Sequence, residues 1–278
     1  MMVDGIRATL PRCFCPGLSS PRMYCEYVSS RSEANAERVA TAAERTVAAG
    51  TARLLAAWSQ GSPVPDGADR RCEGIADFAA RRAQVWQVPL FTAGLAAEFI
   101  EKHQAADDSD MAQLAEPQEM LYDGANAYVH VAGNWTGFFL GDRDGPRAVN
   151  DPLWPLDVLF GAQDAVEVGA EEVRGVAVTH YRVTIDLARA DAALAAGVTV
   201  PTGPYRALSR VPAEVWLDSA GQSRRIAVAT ERAAGDDQVP IWSIVELWDF
   251  GVNADIVPPT PAEVVPPREA YRQTSGTP

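Results

Sequence analysis

The sequence predicts an α+β fold built on a curved antiparallel β-sheet with helices on one face, and three observations support this. Two stretches alternate cleanly: Tyr181, Val183, Ile185 and Leu187 are apolar between the polar His180, Arg182, Thr184 and Asp186, and Val211, Ala213, Val215 and Leu217 repeat the pattern. A period of two marks a strand with one buried face. Asp218-Ser219-Ala220-Gly221 then offers a hairpin turn, which makes 224–230 an antiparallel return strand. The run 241–250 carries Trp242, Ile244, Trp248 and Phe250 on one parity with Val245 and Leu247 on the other. Both of its faces are apolar over part of its length, so one is core and the other needs a cover or a ligand.

The remaining elements follow in chain order. Residues 1–30 mix Pro, Ser, Gly and Cys without periodicity and read as a loosely ordered extension. Ser30 with Glu33 forms a capping box, Val39, Ala42, Ala43, Thr46 and Val47 keep helical spacing, and Gly50 stands where a left-handed cap is needed. This predicts a helix over 31–49. A strand over 51–59 places Ala52, Leu54, Ala56 and Trp58 on one face, and a Gly/Pro/Asp loop over 61–69 leads to two strands within 72–88, broken near 79–82. Leu95, Ala96, Phe99 and Ile100 predict a short helix over 92–104, and 117–131 reads as a hairpin turning at Asp123-Gly124. Asp142-Arg143-Asp144-Gly145 is a polar turn. Asp151 before Pro152 caps a helix whose apolar face is Leu153, Leu156, Leu159 and Phe160, ending near Gly161. A Pro-rich polar tail is expected over 259–278, which leaves one domain over 31–258.

The strand Val173-Arg174-Gly175 through Thr179-His180-Tyr181-Arg182-Val183-Thr184-Ile185-Asp186-Leu187, then Val211-Pro212-Ala213-Glu214-Val215-Trp216-Leu217-Asp218 with Gly221 and Arg224-Arg225, then Trp248-Asp249-Phe250-Gly251-Val252, resembles the actinobacterial LppX/LprG-type lipoproteins. Those are relatives of the LolA and LolB lipoprotein carriers. The resemblance covers the order of elements over about 33–259 and rests on strands and turns. It implies a LolA-like half-barrel with helices covering the concave face. It also implies a non-catalytic protein that binds or carries a lipid or lipidated molecule, without a cofactor, and that has a membrane or lipoprotein as partner. Face parity offers Leu54, Trp58, Tyr128, Leu156, Phe160, Tyr181, Val183, Ile185, Val215, Leu217 and Trp248 as the lining of an apolar cavity between sheet and helices. At about 0.8 kcal/mol per buried methylene, a chain of roughly sixteen carbons gains on the order of 12 kcal/mol before association costs, enough to hold a lipid without a charged anchor. The alternative is a ligand-free protein-interaction or sensor module on the same fold, and an enzyme with scattered carboxylates ranks last.

Bulk composition narrows the field. The 278 residues are 47% hydrophobic, enough for a sizeable core, and the net charge of −13 meets a phosphate backbone with a repulsive field, which argues against nucleic acid. Lys102 is the single lysine, so nearly all positive charge is arginine. Cys13, Cys15, Cys25 and Cys72 lack zinc spacing and read as free thiols of a reducing compartment. The histidines His103, His130 and His180 stand in no HExxH, and Asp107-Asp108-Ser109-Asp110 lacks the glycine and terminal Glu of a calcium loop, so no metal is expected. There is no GxSxG, GxxxxGK[ST] or GxGxxG; Asp249-Phe250-Gly251 is a strand end followed by a turn, and Asn134-Trp135-Thr136 a chance glycosylation match. Arg7, Pro11, Arg12, Pro16, Pro21 and Arg22 interrupt any signal-peptide pattern, so the sequence as written reads as cytoplasmic. The resembled family is generally exported and lipid-anchored through a cysteine, which would move the start site.

Overall fold

A computed structural model describes residues 21–68, 70–87, 118–124, 126–131, 133–139, 151–194, 209–230 and 240–266. The chain enters through helix α1 (Pro21–Ala48). It starts earlier than the capping box at Ser30 predicts, because no Gly or Pro interrupts 22–30 and Pro21 suits a first helical position. Gly50, at φ +81°, ends it as expected and turns the chain into β1. The strands are β1 (Thr51–Gln60), β2 (Arg70–Asp77), β3 (Arg82–Gln87), β4 (Gln118–Asp123), β5 (Asn126–Val131) and β6 (Asn134–Phe139). Then come helix α2 (Trp154–Asp157), a 3-10 turn (Val158–Gly161), β7 (Ala162–Val173), β8 (Val176–Asp186) and helix α3 (Leu187–Ala193). Strands β9 (Arg210–Asp218), β10 (Ser223–Thr230), β11 (Ile241–Trp248) and β12 (Val264–Val265) complete the described elements.

All twelve strands join one open sheet in the order β12-β6-β5-β4-β3-β2-β1-β11-β10-β9-β8-β7, antiparallel except for the β12–β6 pair. The fold is the α+β curved antiparallel half-barrel. α1 lies chiefly on β7 and reaches β9 and β10, and α2 lies on β10 and β11. The expected helix over 92–104, the acidic loop over 107–110 and the turn over 142–145 lie outside the described residues. The first Val-Val pair of the expected Pro-rich tail, Val264–Val265, runs beside Trp135 and Thr136 of β6, the extended backbone of a Pro-flanked segment being already suited to pairing.

One predicted strand is two. Arg174 and Gly175, at φ +50° and +78°, form the tight turn that separates β7 from β8, whereas the sequence reading starts a single strand at Val173. β7 itself escapes periodicity because its register shifts between Ala162 and Asp164 and again between Glu167 and Gly169, and each shift inverts the alternation. As a sheet edge it presents unpaired backbone groups, a template for unwanted strand pairing. α1 blunts it: Ser32 Oγ accepts from the Ala165 N–H at 3.2 Å, and Asn35 Nδ2 donates to the Ala165 carbonyl at 3.3 Å.

The sheet has two apolar layers. On the helix-bearing, concave side one continuous core runs from Ile185 and Val183 on β8 through Val215, Val228, Val245 and Leu54 to Cys72, Val85 and Tyr122, closed from above by Val39, Ala43, Leu156 and Leu159. Thr46, fully buried, fastens α1 to β10 by donating to the Ala42 carbonyl at 2.7 Å and accepting from the Ser223 N–H at 2.9 Å. On the outer side a smaller core gathers Leu55, Ala57, Val173, Val178, Trp216, Ala227 and Ile244. Val173 belongs to it because the β7–β8 hairpin curls over the outer face until Arg174 meets Glu246 on β11, three strands away from β8. Since neighbouring strands sit about 4.8 Å apart, no flat sheet brings these residues together.

Backbone crowds Gly74 where β2 meets β3. A Cβ on Gly74 would stand 1.9 Å from the Gln84 carbonyl oxygen and 2.7 Å from Val85 Cα. Gly74→Ala is therefore expected to cost about 1–3 kcal/mol as overpacking, measured as a lower urea midpoint; no change would mean that β2 and β3 separate freely.

Candidate functional site

The concave face gathers most of the residues that the sequence singled out for a cavity. Leu54, Leu156, Tyr181, Val183, Ile185, Val215 and Leu217 are buried in its core, and Trp58 and Phe160 pack against them half-buried. Tyr128 and Trp248 are placed elsewhere. Tyr128 stands opposite Leu121, which stands opposite Gln84, and this row lies on the outer face, because the β4–β5 hairpin sends Ala127 inward. Trp248 also lies outside, in the second core, with the Arg174 guanidinium 3.7 Å from its ring centroid. The run 241–250 is apolar on both parities, so alternation alone does not choose a face. Packing of the helices onto Val245 and Leu247 does.

At one margin of the concave face a groove of about 520 Å³ opens between α1 and the ends of β8 and β9. Its walls are Ala34, Glu37, Arg38, Thr41 and Arg45 from α1, and Thr179, Tyr181, Leu217, Asp218, Ser219 and Gly221 from the sheet. The Tyr181 ring is buried, while its hydroxyl accepts from Arg38 Nη1 at 3.0 Å. That bond is the first cause of the Arg38 guanidinium being held still more firmly protonated. Arg45 Nη1 donates to the Ala220 carbonyl at 3.3 Å. Gly221, at φ +75°, leaves room for it: a Cβ there would come within 2.3 Å of Arg45 Nη1.

Polar groups also enter the concave core from the α2 side. Arg81, at φ +52° in the β2–β3 turn, meets Asp157 through two hydrogen bonds of 2.9 and 2.7 Å. Asp151 accepts from the Leu153 N–H at 2.9 Å in a turn ahead of α2; the expected cap is not formed, because α2 starts at Trp154 with Leu153 as its N-cap and no side-chain cap bond. Burial, and then the nearby Asp157, push the Asp151 carboxyl up to about 6. Burial likewise pushes the Cys72 thiol up to about 12 and the Tyr122 phenol upward.

On the outer face a charged network overlies the second core. His180 stacks on Trp216 at 4.2 Å, with Nδ1 2.8 Å from Glu171 and Nε2 2.6 Å from Glu214. The imidazole thus bridges Glu171 and Glu214, one carboxylate at each ring nitrogen. Trp216 Nε1 donates to Glu171 at 2.7 Å, the leading cause, ahead of His180, of the Glu171 carboxyl lying below the usual range. Among the described residues, no group of three or more His, Cys, Asp or Glu could hold a metal ion, and no helix is long and apolar enough to cross a membrane.

The sequence reading missed Arg38, Arg45, Arg81 and Asp157 as site residues. The spacing Arg38, Thr41, Arg45 at i, i+3 and i+7 was the available signal for the first two, but it equally describes a solvated helix face. No family model and no curated protein matches the chain. Among solved structures it is similar to the lipoprotein LppX of Mycobacterium tuberculosis, with 10% identity and a TM-score of 0.46 over 80% of this chain and 99% of that one. It is also similar to LprF from Mycobacterium bovis, with 13% identity and a TM-score of 0.47 over 82% of this chain and 98% of that one. LppX is the lipoprotein whose type the strand and turn pattern resembles.

Proposed function

We propose that this LolA-like half-barrel binds and carries a lipid or lipidated molecule, without catalysis, between the concave face of its sheet and the helices, with a membrane or lipoprotein as the partner that delivers or receives it. The observation that supports this most is the continuity of the concave apolar layer, which extends unbroken from β8 to β5 while polar groups enter it from turns and helices. Such a layer offers an aliphatic chain a large dry surface and few competing hydrogen bonds. The nine residues Leu54, Trp58, Leu156, Phe160, Tyr181, Val183, Ile185, Val215 and Leu217 would line the path.

One observation favours the rival, a solid-core interaction module: Leu54, Val183, Ile185 and Val215 are at most 1% exposed and pack within one core cluster. Val183→Trp separates the two. The indole cannot leave the concave face that strand parity assigns to position 183. In a carrier it occupies ligand space, so a fluorescent fatty-acid probe binds the parent at one per chain and the variant at least about tenfold more weakly, with the thermal midpoint nearly unchanged. In a solid core it overpacks, costs about 1–3 kcal/mol, and neither protein takes the probe. Arg182→Ala, on the outer face and paired with Glu214 at 3.2 Å, is expected to leave probe binding intact.

A further inference from the structure

We infer that the groove between α1 and the β8–β9 ends holds the anionic head group, a phosphate or a carboxylate, of an amphiphile whose tail lies on the concave face; this rests on the lipid-binding reading above. The feature that carries this is what holds Arg38 and Arg45. At least nine other arginines among the described residues, from Arg31 to Arg225, reach a carboxylate. Arg38 and Arg45 are held instead by neutral acceptors, the Tyr181 hydroxyl and the Ala220 carbonyl. Each bond uses one of five guanidinium N–H groups. In a chain of net charge −13, two arginines that pair with no carboxylate among the described residues and that face one groove are a positive site left open.

The negative groups of the groove do not close it. Asp218 is already engaged, accepting from the Ala220 and Gln222 N–H groups at 2.9 Å and from Arg224 Nε at 2.6 Å, its counter-charge being Arg224. Glu167, which acts on Arg38 from a distance, faces Arg31 at 3.8 Å. Glu37 is the remaining carboxylate of the lining, and it stands exposed on α1. Arg38, Thr41 and Arg45 share one helix face over about 10 Å, which sets two planar donors and a hydroxyl along the groove. The geometry suits oxyanion oxygens, which arginine binds through paired N–H groups. The floor of the groove is Tyr181 and Leu217, at most 3% exposed, and both belong to the concave core. A head group in the groove therefore sits beside the apolar layer that would take its tail. A volume of about 520 Å³ is ordinary for a small-molecule site.

The full chain is titrated with oleate, with oleoyl lysophosphatidic acid, with neutral monoolein of the same acyl chain, and with inorganic phosphate alone. The parent is expected to bind the two anionic amphiphiles about tenfold more tightly than monoolein. The double variant Arg38→Gln, Arg45→Gln is expected to lose that preference, to bind monoolein as before, and to keep its thermal midpoint within about 2 °C, both arginines being exposed. If the parent binds all three amphiphiles equally, or if the double variant keeps the preference, the head-group assignment is wrong while lipid binding stands. Inorganic phosphate binding as tightly as lysophosphatidic acid would make this a free-anion site and overturn the amphiphile. Binding of no amphiphile would defeat the lipid reading itself, and this inference with it.

Discussion

Alanine in place of Glu246 is expected to lower the unfolding free energy by about 3–5 kcal/mol, the range for removing one partner of a buried charge network. The Glu246 side chain is 4% exposed and accepts from Arg174 Nε and Arg225 Nε, each at 2.8 Å. Its loss strands two guanidinium groups over Trp248 and Trp216 and releases the hairpin tip that covers the outer core. A urea titration reads the effect as a lower midpoint. Arg182→Ala is the control: its pairing with Glu214 is made by a side chain 67% exposed, and a change within about 0.5 kcal/mol is expected. A Glu246→Ala loss below about 1 kcal/mol would mean that apolar packing alone holds the hairpin down.

Asp151→Asn is expected to stabilise the protein, which is rarer and more informative. The folded state holds the Asp151 carboxyl at about 6, against an ordinary value of 3.8, through burial first and Asp157 second. Below pH 3.8 both folded and unfolded chains keep the proton and the group costs nothing. Between 3.8 and about 6 only the folded chain keeps it, so stability falls as pH rises, and above about 6 the full cost, on the order of 3 kcal/mol, is present. Asparagine keeps the acceptor for the Leu153 N–H without the charge. The variant should match the parent near pH 3.5 and exceed it by about 2–3 kcal/mol at pH 7.5 in urea titrations at the two values. Parallel stability curves for parent and variant would show that Asp151 is not held in a dry site. A carboxylate retained at such a cost beside the concave core is the kind of strain that functional sites carry.

Local signals carried the sequence reading as far as they extend. Alternation assigned the faces of β1, β8 and β9 correctly, because each keeps its concave-side residues, Leu54, Val183 and Val215 among them, on one parity, even where Leu55 and Trp216 bury the other side. The turn at Asp218 to Gly221 was legible since Asp218 caps it through its own carboxylate and Gly221 adopts a positive φ. β7 was not legible: bulges break its period, and Glu167, Glu171 and Glu172 give it the look of a solvated loop. The outer core was hidden for a different reason. Nothing local in Val173-Arg174-Gly175-Val176 reveals that the hairpin folds over strands far along the sheet, and so Trp248, half-covered by that folding, was read as facing inward. The groove was hidden because its arginines are ordinary on a helix surface, and only the fold brings them to the Tyr181 hydroxyl and the Ala220 carbonyl.

The position of β1 bears on how the molecule is made. β1 sits in the interior of the sheet, with β2 on one side and β11 on the other, and the pairing of Leu54 with Leu247 joins residues roughly 190 apart. On the ribosome the N-terminal meander is synthesised long before β11 emerges, so one flank of β1 waits without its neighbour, with Leu54 and Leu55 on its two faces. Closing so long a loop is slow, and the waiting edge is the natural place for a nascent chain to aggregate or to recruit a chaperone. A truncation ending before Ile241 should therefore be recovered as insoluble or chaperone-bound protein, even though β1 to β10 are complete in it.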